Sequence, residues 1–247
     1  MQRLRGRVYL CDGAIRPYEV ELDGRFEMDG DEDAWHLLLV DDAGEIIGCA
    51  RYMIYPKTAC FNSLRISRSA LARDLQWAWK LRQAVEADLQ LARDRNLLYV
   101  EIGGWALSEE WRRTKAALET AVGSYALGNL WGGALGSCTA TVRHGSASIL
   151  RRLGGSSFQF KGEPLPVYFD AQYGCNMELL RFEDQCPVSR FEPLIKQLTS
   201  KLERVQVITA SSYSLFVPPQ MHSSLARVTE CVSQTISDDS ALQGHGY

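Results

Sequence analysis

The chain has 247 residues, 46% of them hydrophobic and 23% charged, and a formal net charge of −3. That balance describes an ordinary globular chain built around one large domain, and neither the charge nor any Lys/Arg-rich block points to nucleic acid. No run reaches the roughly 18 apolar residues of a membrane span, and Met1–Gly6 lacks the apolar core of a secretory leader, so a cytoplasmic location is expected. Seven scattered cysteines (11, 49, 60, 138, 175, 186, 231) form no C-x-x-C. They read as small buried hydrophobes in a reducing compartment, with no metal site expected.

In chain order, residues 7–11 read as a short strand and 12–34 as polar, acidic, irregular chain. Two apolar runs, Trp35–Val40 and Glu45–Ile54, flank Asp41-Asp42-Ala43-Gly44 and predict a hairpin ended by Pro56. From Ser69 to about Asn96, residues Leu71, Leu75, Ala78, Trp79, Arg82, Val85, Leu89 and Ala92 recur at helical steps. Leu97–Ile102 is a buried strand running into Gly103-Gly104, and 113–127 is a helix with Gly128 as its C-cap. Gly133–Val142 is a further strand, and Ala147–Leu153 a short helix ending at Gly154-Gly155. This alternation predicts an α/β fold with a parallel pair at its centre. Strands near 157–161 and 174–182 follow, then an amphipathic helix, Phe191–Val205, with Phe191, Leu194, Ile195, Leu198 and Leu202 on one face. The chain divides into a domain over 1–209 and a peripheral, weakly ordered tail over 210–247, with a short helix possible near 224–236.

The stretch Trp105–Ala117 reads as the end of the central strand, a turn, and the first turn of a helix. Arg112, Arg113 and Lys115 fall where helix-opening amides point outward, a combination that favours phosphate. A nucleotide-type or phosphopantetheine-type ligand is the expectation. Glu101 precedes Gly103-Gly104, where a strand can bulge and expose amides. It is a candidate base or amine-binding carboxylate; the other reading pairs it with Arg51 across the sheet. Cys138 is a nucleophile or a small core residue, and His144 an acid or a loop histidine beside Arg143. Trp77, Trp79, Trp105, Trp111 and Trp131 with Tyr99 and Tyr125 either line an apolar acyl tunnel or pack helices on the sheet.

The order hairpin, strand with Glu101, phosphate turn, helix, strand, helix and final strand pair resembles the GCN5-related N-acyltransferase (GNAT) superfamily over residues 33–182. Trp105-Ala106-Leu107 and Arg112–Ala117 stand at the family's L-x-V and Arg/Gln-x-x-Gly-x-Gly/Ala, with Lys115 where glycine is usual. Within the superfamily, Asp31–Leu39, Gly48–Arg51 and Glu101–Leu107 resemble the branch of acyl-homoserine-lactone and long-chain N-acyl amino acid synthases. There Gly103-Gly104 replace a Ser-Arg pair, and Leu150 takes the superfamily's tyrosine-acid position. The resemblance implies a mixed, centrally splayed sheet flanked by helices. It also implies transfer of an acyl group from acyl-CoA or an acyl-phosphopantetheine carrier protein to a small-molecule amine, with no permanently bound cofactor. Cofactor-binding residues would be Trp105, Leu107, Arg112, Arg113, Thr114, Lys115 and Ala117; substrate-binding residues Arg51, Gly103, Gly104 and Cys138; and catalytic residues Glu101, His144 and Tyr125. An acetyl-CoA-dependent N-acetyltransferase and a non-catalytic GNAT-like binding domain are the alternatives.

Overall fold

The computed structural model describes residues 1–183, 188–205 and 207–208, without the side chain of His144. The expected tail over 210–247 and its short helix lie outside the described residues. The chain opens with a helix, α1 (Gln2–Cys11), where a strand is expected over 7–11. Val8 and Tyr9 favour extended backbone. However, Leu4 and Val8, four residues apart, form an apolar stripe that packs on Cys49 and Ala106. Gly13 closes α1 at φ 63°. Its amide bonds the Leu10 carbonyl at 3.0 Å and the Ala14 amide bonds that of Tyr9 at 2.8 Å, the two bonds of a Schellman ending.

The hairpin forms as expected, with β1 (Trp35–Val40) antiparallel to β2 (Ile46–Tyr55). Helix α2 (Ala78–Asp94) is shorter than its periodic stretch. The residues before it, 61–73, make three separate 3-10 turns instead, and Asp74 Oδ1 accepts from the Gln76 and Trp77 amides as α2 begins. β3 (Leu98–Leu107) runs through Gly103-Gly104 rather than stopping at them. α3 (Lys115–Leu130) continues past Gly128, and the chain turns at Gly132 and Gly133 instead. β4 (Ala134–Thr141) and α4 (Ser146–Arg152) follow. The strand expected near 157–161 is divided into β5 (Ser156–Ser157) and β6 (Gln159–Phe160), because Phe158 between them turns into the core at 1% exposure. β6 pairs with β7 (Glu163–Pro164). β8 (Tyr168–Asp170), β9 (Cys175–Glu183) and α5 (Glu192–Leu202) complete the described elements.

The main sheet has seven strands in the order β1-β2-β3-β4-β9-β5, with β8 also on β9; β3 and β4 are its parallel pair. Residues opposite each other on paired strands share a face. One face, carrying Tyr99, Leu135 and Leu179, is covered by α2 and the 3-10 turns, with α1 over Cys49 and Ala106. Leu81, Val85 and Leu89 of α2 are each at most 2% exposed there; burial of each contributes about 1.5–3 kcal/mol. The other face, carrying Tyr52, Val100, Cys138, Leu180 and Phe182, is covered by α3 and α5. The aromatic residues divide between these faces and do not converge on one tunnel. Trp131 stacks on Trp35 and Tyr52 under α3, whereas Trp77 and Trp79 meet Lys80 and Phe160 beside α2. Among the described residues no helix is long and apolar enough to cross a membrane.

Candidate functional site

β3 and β4 are paired only from Leu98↔Ala134 to Ile102↔Cys138. Beyond that point β3 stays with β2, as in Gly103↔Arg51 and Leu107↔Gly48, while β4 stays with β9 through Thr141↔Met177. The two central strands therefore part, leaving a cleft in the pairing where their facing edges have no ladder partner across the gap. Gly103 and Gly104 stand where the strands separate. Cys49 faces Ala106 and Arg51 faces Gly103, so Ala50 alone opposes Gly104 and Trp105, which is a β-bulge in β3. Gly104 has φ 60°, and a Cβ there would lie 3.0 Å from Arg51 Cβ and 3.2 Å from Arg5 Nη1. A Cβ on Gly103 would meet nothing within 4 Å. The sheet face beside Gly103 is open.

A buried ion cluster holds the bulge from beneath. Arg5, 0% exposed, donates through both Nη atoms to the Asp31 carboxylate and through Nη2 to the Phe26 carbonyl at 3.1 Å. Arg51 Nη1 donates to the Asp29 carbonyl at 2.9 Å and lies 3.4 Å from Asp31 Oδ1. Burial works against the Asp31 charge, but the Arg5 guanidinium and the Met28 amide hold its carboxyl below the usual range. His36 is pushed down by burial, and its ring nitrogen contacts the Asp31 carbonyl at 2.8 Å.

Glu101 is not paired with Arg51. Its carboxylate accepts from the amides of Arg65 at 2.8 Å and Ile66 at 2.7 Å, and from the Tyr55 hydroxyl. It thereby fastens the 3-10 turn Arg65–Arg68 onto the sheet. Three donors fill three of its roughly four lone-pair sites. Trp105 is half-buried in the bulge, and its indole nitrogen is buried without a partner among the described groups.

The start of α3 is less open to an anion than its sequence implies. Thr114 is the N-cap: its hydroxyl accepts from the Ala116 amide at 3.2 Å, and the Ala117 amide bonds the Thr114 carbonyl at 3.3 Å. Lys115 pairs with Glu119 at 2.9 Å, and Arg112 pairs with Asp12. Arg113 has no ion pair among the described residues and remains the open cation of the three. Leu107 is buried at the end of β3.

Two candidates lie across the sheet from Glu101. Tyr125 is buried on α3 and donates to the Leu153 carbonyl at 2.9 Å, so its phenol ties α3 to the end of α4. Tyr125→Phe is expected to cost about 1 kcal/mol of stability, read from the urea midpoint. Cys138 sits on the α3/α5 face, and burial, with a smaller contribution from the Glu101 charge, pushes its thiol up to about 12. It is a buried, protonated thiol at neutral pH, as the small-core reading expects. His144 falls in the turn Arg143–Gly145 after β4, with its side chain outside the description.

No protein-family model and no curated protein matches the chain. Among solved structures it is similar to the CoA-dependent acyl-homoserine lactone synthase BjaI, solved with SAM and isopentyl-CoA, at 14% identity over 87% of this chain and 85% of that one, TM-score 0.49. It is also similar to FeeM, an N-acyl amino acid synthase from uncultured soil microbes, at 14% identity over 83% and 90%, TM-score 0.44. A third is the synthase LasI, at 17% identity over 74% and 81%, TM-score 0.46. The likeness is one of fold.

Two residues that matter most to the bulge, Arg5 and Asp31, are not candidates from sequence. Arg5 lies just before the strand expected over 7–11, in a stretch to which no element is assigned. The signal for it is the Leu4/Val8 spacing followed by Gly13, which places Arg5 on a helix turned toward the sheet.

Proposed function

We propose that the chain is an N-acyltransferase whose donor, an acyl thioester of CoA or of a phosphopantetheine carrier, runs through the cleft between β3 and β4. The observation that carries this is the loss of β3–β4 pairing beyond Ile102 and Cys138, together with the Gly103-Gly104 bulge. Pantetheine is peptide-like, and its amides suit the unpaired strand edges. The open side of Gly103 leaves room for the thioester, and the amides of the bulge are donors for the oxyanion.

The acceptor is a small amine of the amino acid type. Glu101 and Arg51 lie on the same face, Arg51 opposite Gly103 and Glu101 two residues before it. The Glu101 charge complements the ammonium of the acceptor, whereas Arg51, 3% exposed and already held by the Asp29 carbonyl and Asp31, shapes the bulge beside it. The amine loses a proton toward Glu101 and attacks the carbonyl carbon. The C–N bond forms as the C–S bond breaks, and the thiolate takes up a proton to give amide and free thiol.

A screen of acyl-CoA thioesters, acetyl-CoA included, against amino acids, read by mass spectrometry, tests this reading; an N-acyl amino acid is the expected product. Glu101→Gln is expected to lower turnover by at least about a hundredfold while changing thioester affinity little. It also costs about 1–3 kcal/mol, because the new amide group faces backbone donors. Turnover equal to wild type would remove Glu101 from the chemistry. A non-catalytic thioester-binding domain is the second reading, favoured by the three donors already on Glu101. It is expected to bind CoA and to give no product with any pair in the screen.

A further inference from the structure

The guanidinium of Arg112 already holds an anion, and that anion belongs to the chain itself. Asp12 docks on it through two parallel bonds, Nη1 to Oδ1 and Nη2 to Oδ2, each 2.9 Å. A carboxylate presents the same oxygen pair to a guanidinium as a phosphate does. One residue on, the Gly13 carbonyl accepts from Arg143 Nη2 at 2.9 Å, and that guanidinium reaches the Tyr173 carbonyl at 3.4 Å. Arg112 lies just beyond the end of β3 and Arg143 just beyond the end of β4. Residues 12 and 13 are thus tied to the turns that follow both splayed strands. Ile15, two residues on, is buried at 4% exposure.

Asp12 is poorly placed for its own helix. It is the C-cap of α1, where the negative end of the helix dipole disfavours a carboxylate, and Arg112 offsets that repulsion. If Arg112 turned to another anion, Asp12 would lose that support. We propose that Asp12 occupies the donor-phosphate position at Arg112 in the free protein and is displaced by the phosphate of the thioester donor, so that the strap of residues 12–13 opens as the donor binds. This rests on the acyl-thioester reading and adds a counter-anion that couples donor binding to access. The pair is partly exposed, with side-chain exposures of 36% for Arg112 and 24% for Asp12, so water and the donor can both reach it.

The test is calorimetric titration of CoA, 4′-phosphopantetheine and pantetheine into the full chain and its Asp12→Asn and Asp12→Ser variants. Both substitutions remove the charge at the C-cap of α1, and an unchanged urea midpoint certifies the fold. The expected result is a roughly two- to fivefold lower Kd for the two phosphate-bearing ligands, the scale of a partly exposed ion pair, with pantetheine unchanged. Equal CoA affinity in wild type and variants overturns the strap while leaving the donor reading intact. An equal gain for pantetheine overturns it too, since the effect would then be steric. CoA binding to none of the proteins overturns the donor reading and this inference together.

Discussion

Replacing Asp31 by Asn is expected to lower folding stability by about 3–5 kcal/mol, measured by urea unfolding at neutral pH. The side chains of Arg5 and Asp31 are 1% and 6% exposed, so solvent does not screen the pair. Without the carboxylate, two guanidiniums, Arg5 and Arg51, remain buried with no counter-charge between them. The same substitution fixes the acid limb of stability. The Asp31 carboxyl is held below its ordinary value of 3.8 in the folded chain. Its contribution is therefore complete above that value and is lost as pH falls through the lower, folded one. The gap between wild type and Asp31→Asn should stay constant from neutral pH down to the ordinary carboxylate range and narrow below it. A variant within about 1 kcal/mol of wild type would mean that the cluster does not hold the bulge, and that Gly103-Gly104 keep their shape by strand pairing alone.

The central elements were legible because their signals are local. The hairpin follows from two apolar runs around Asp41–Gly44, and the β3–α3–β4–α4 alternation from runs separated by helical periods. The Gly103-Gly104 pair announced a weak point in the strand, and the bulge lies there. What the sequence did not disclose depends on tertiary partners. Residues 69–77 keep a helical period, but Glu101, about 35 residues on, fixes the preceding turn at Arg65 and Ile66. Arg112 and Lys115 look available in the chain, yet Asp12, a hundred residues away, takes the first, and Glu119, one turn along α3, takes the second. Cys138 shares a segment of sequence with Glu101, but the alternation of faces puts it under α3 and α5, where Tyr125 of α3 also packs, while Glu101 looks toward α2. Side-chain facing follows from register, and register is set by pairing.

The two glycines of the bulge should respond in opposite ways to a side chain. Gly104→Ala places a Cβ in a left-handed backbone position and within 3.0 Å of Arg51 Cβ; a loss of about 1–2 kcal/mol from the backbone alone is expected, with more from the contact. Gly103→Val meets no such obstacle. Its Cβ has nothing within 4 Å, its φ lies outside the left-handed range, and valine favours a strand. The urea midpoint should hold or rise slightly. The branched side chain, however, would stand on the open face beside the point where β3 leaves β4, the space assigned to the thioester. CoA affinity is therefore expected to fall at least about tenfold, or 1.4 kcal/mol, and product formation with it. Folded Gly103→Val that binds CoA like wild type would place the donor somewhere other than beside the bulge, whatever the chain's activity. With the urea midpoint held, a fall in affinity reports on the cleft and not on unfolding, a separation that the destabilising substitutions at Gly104 and Asp31 do not give.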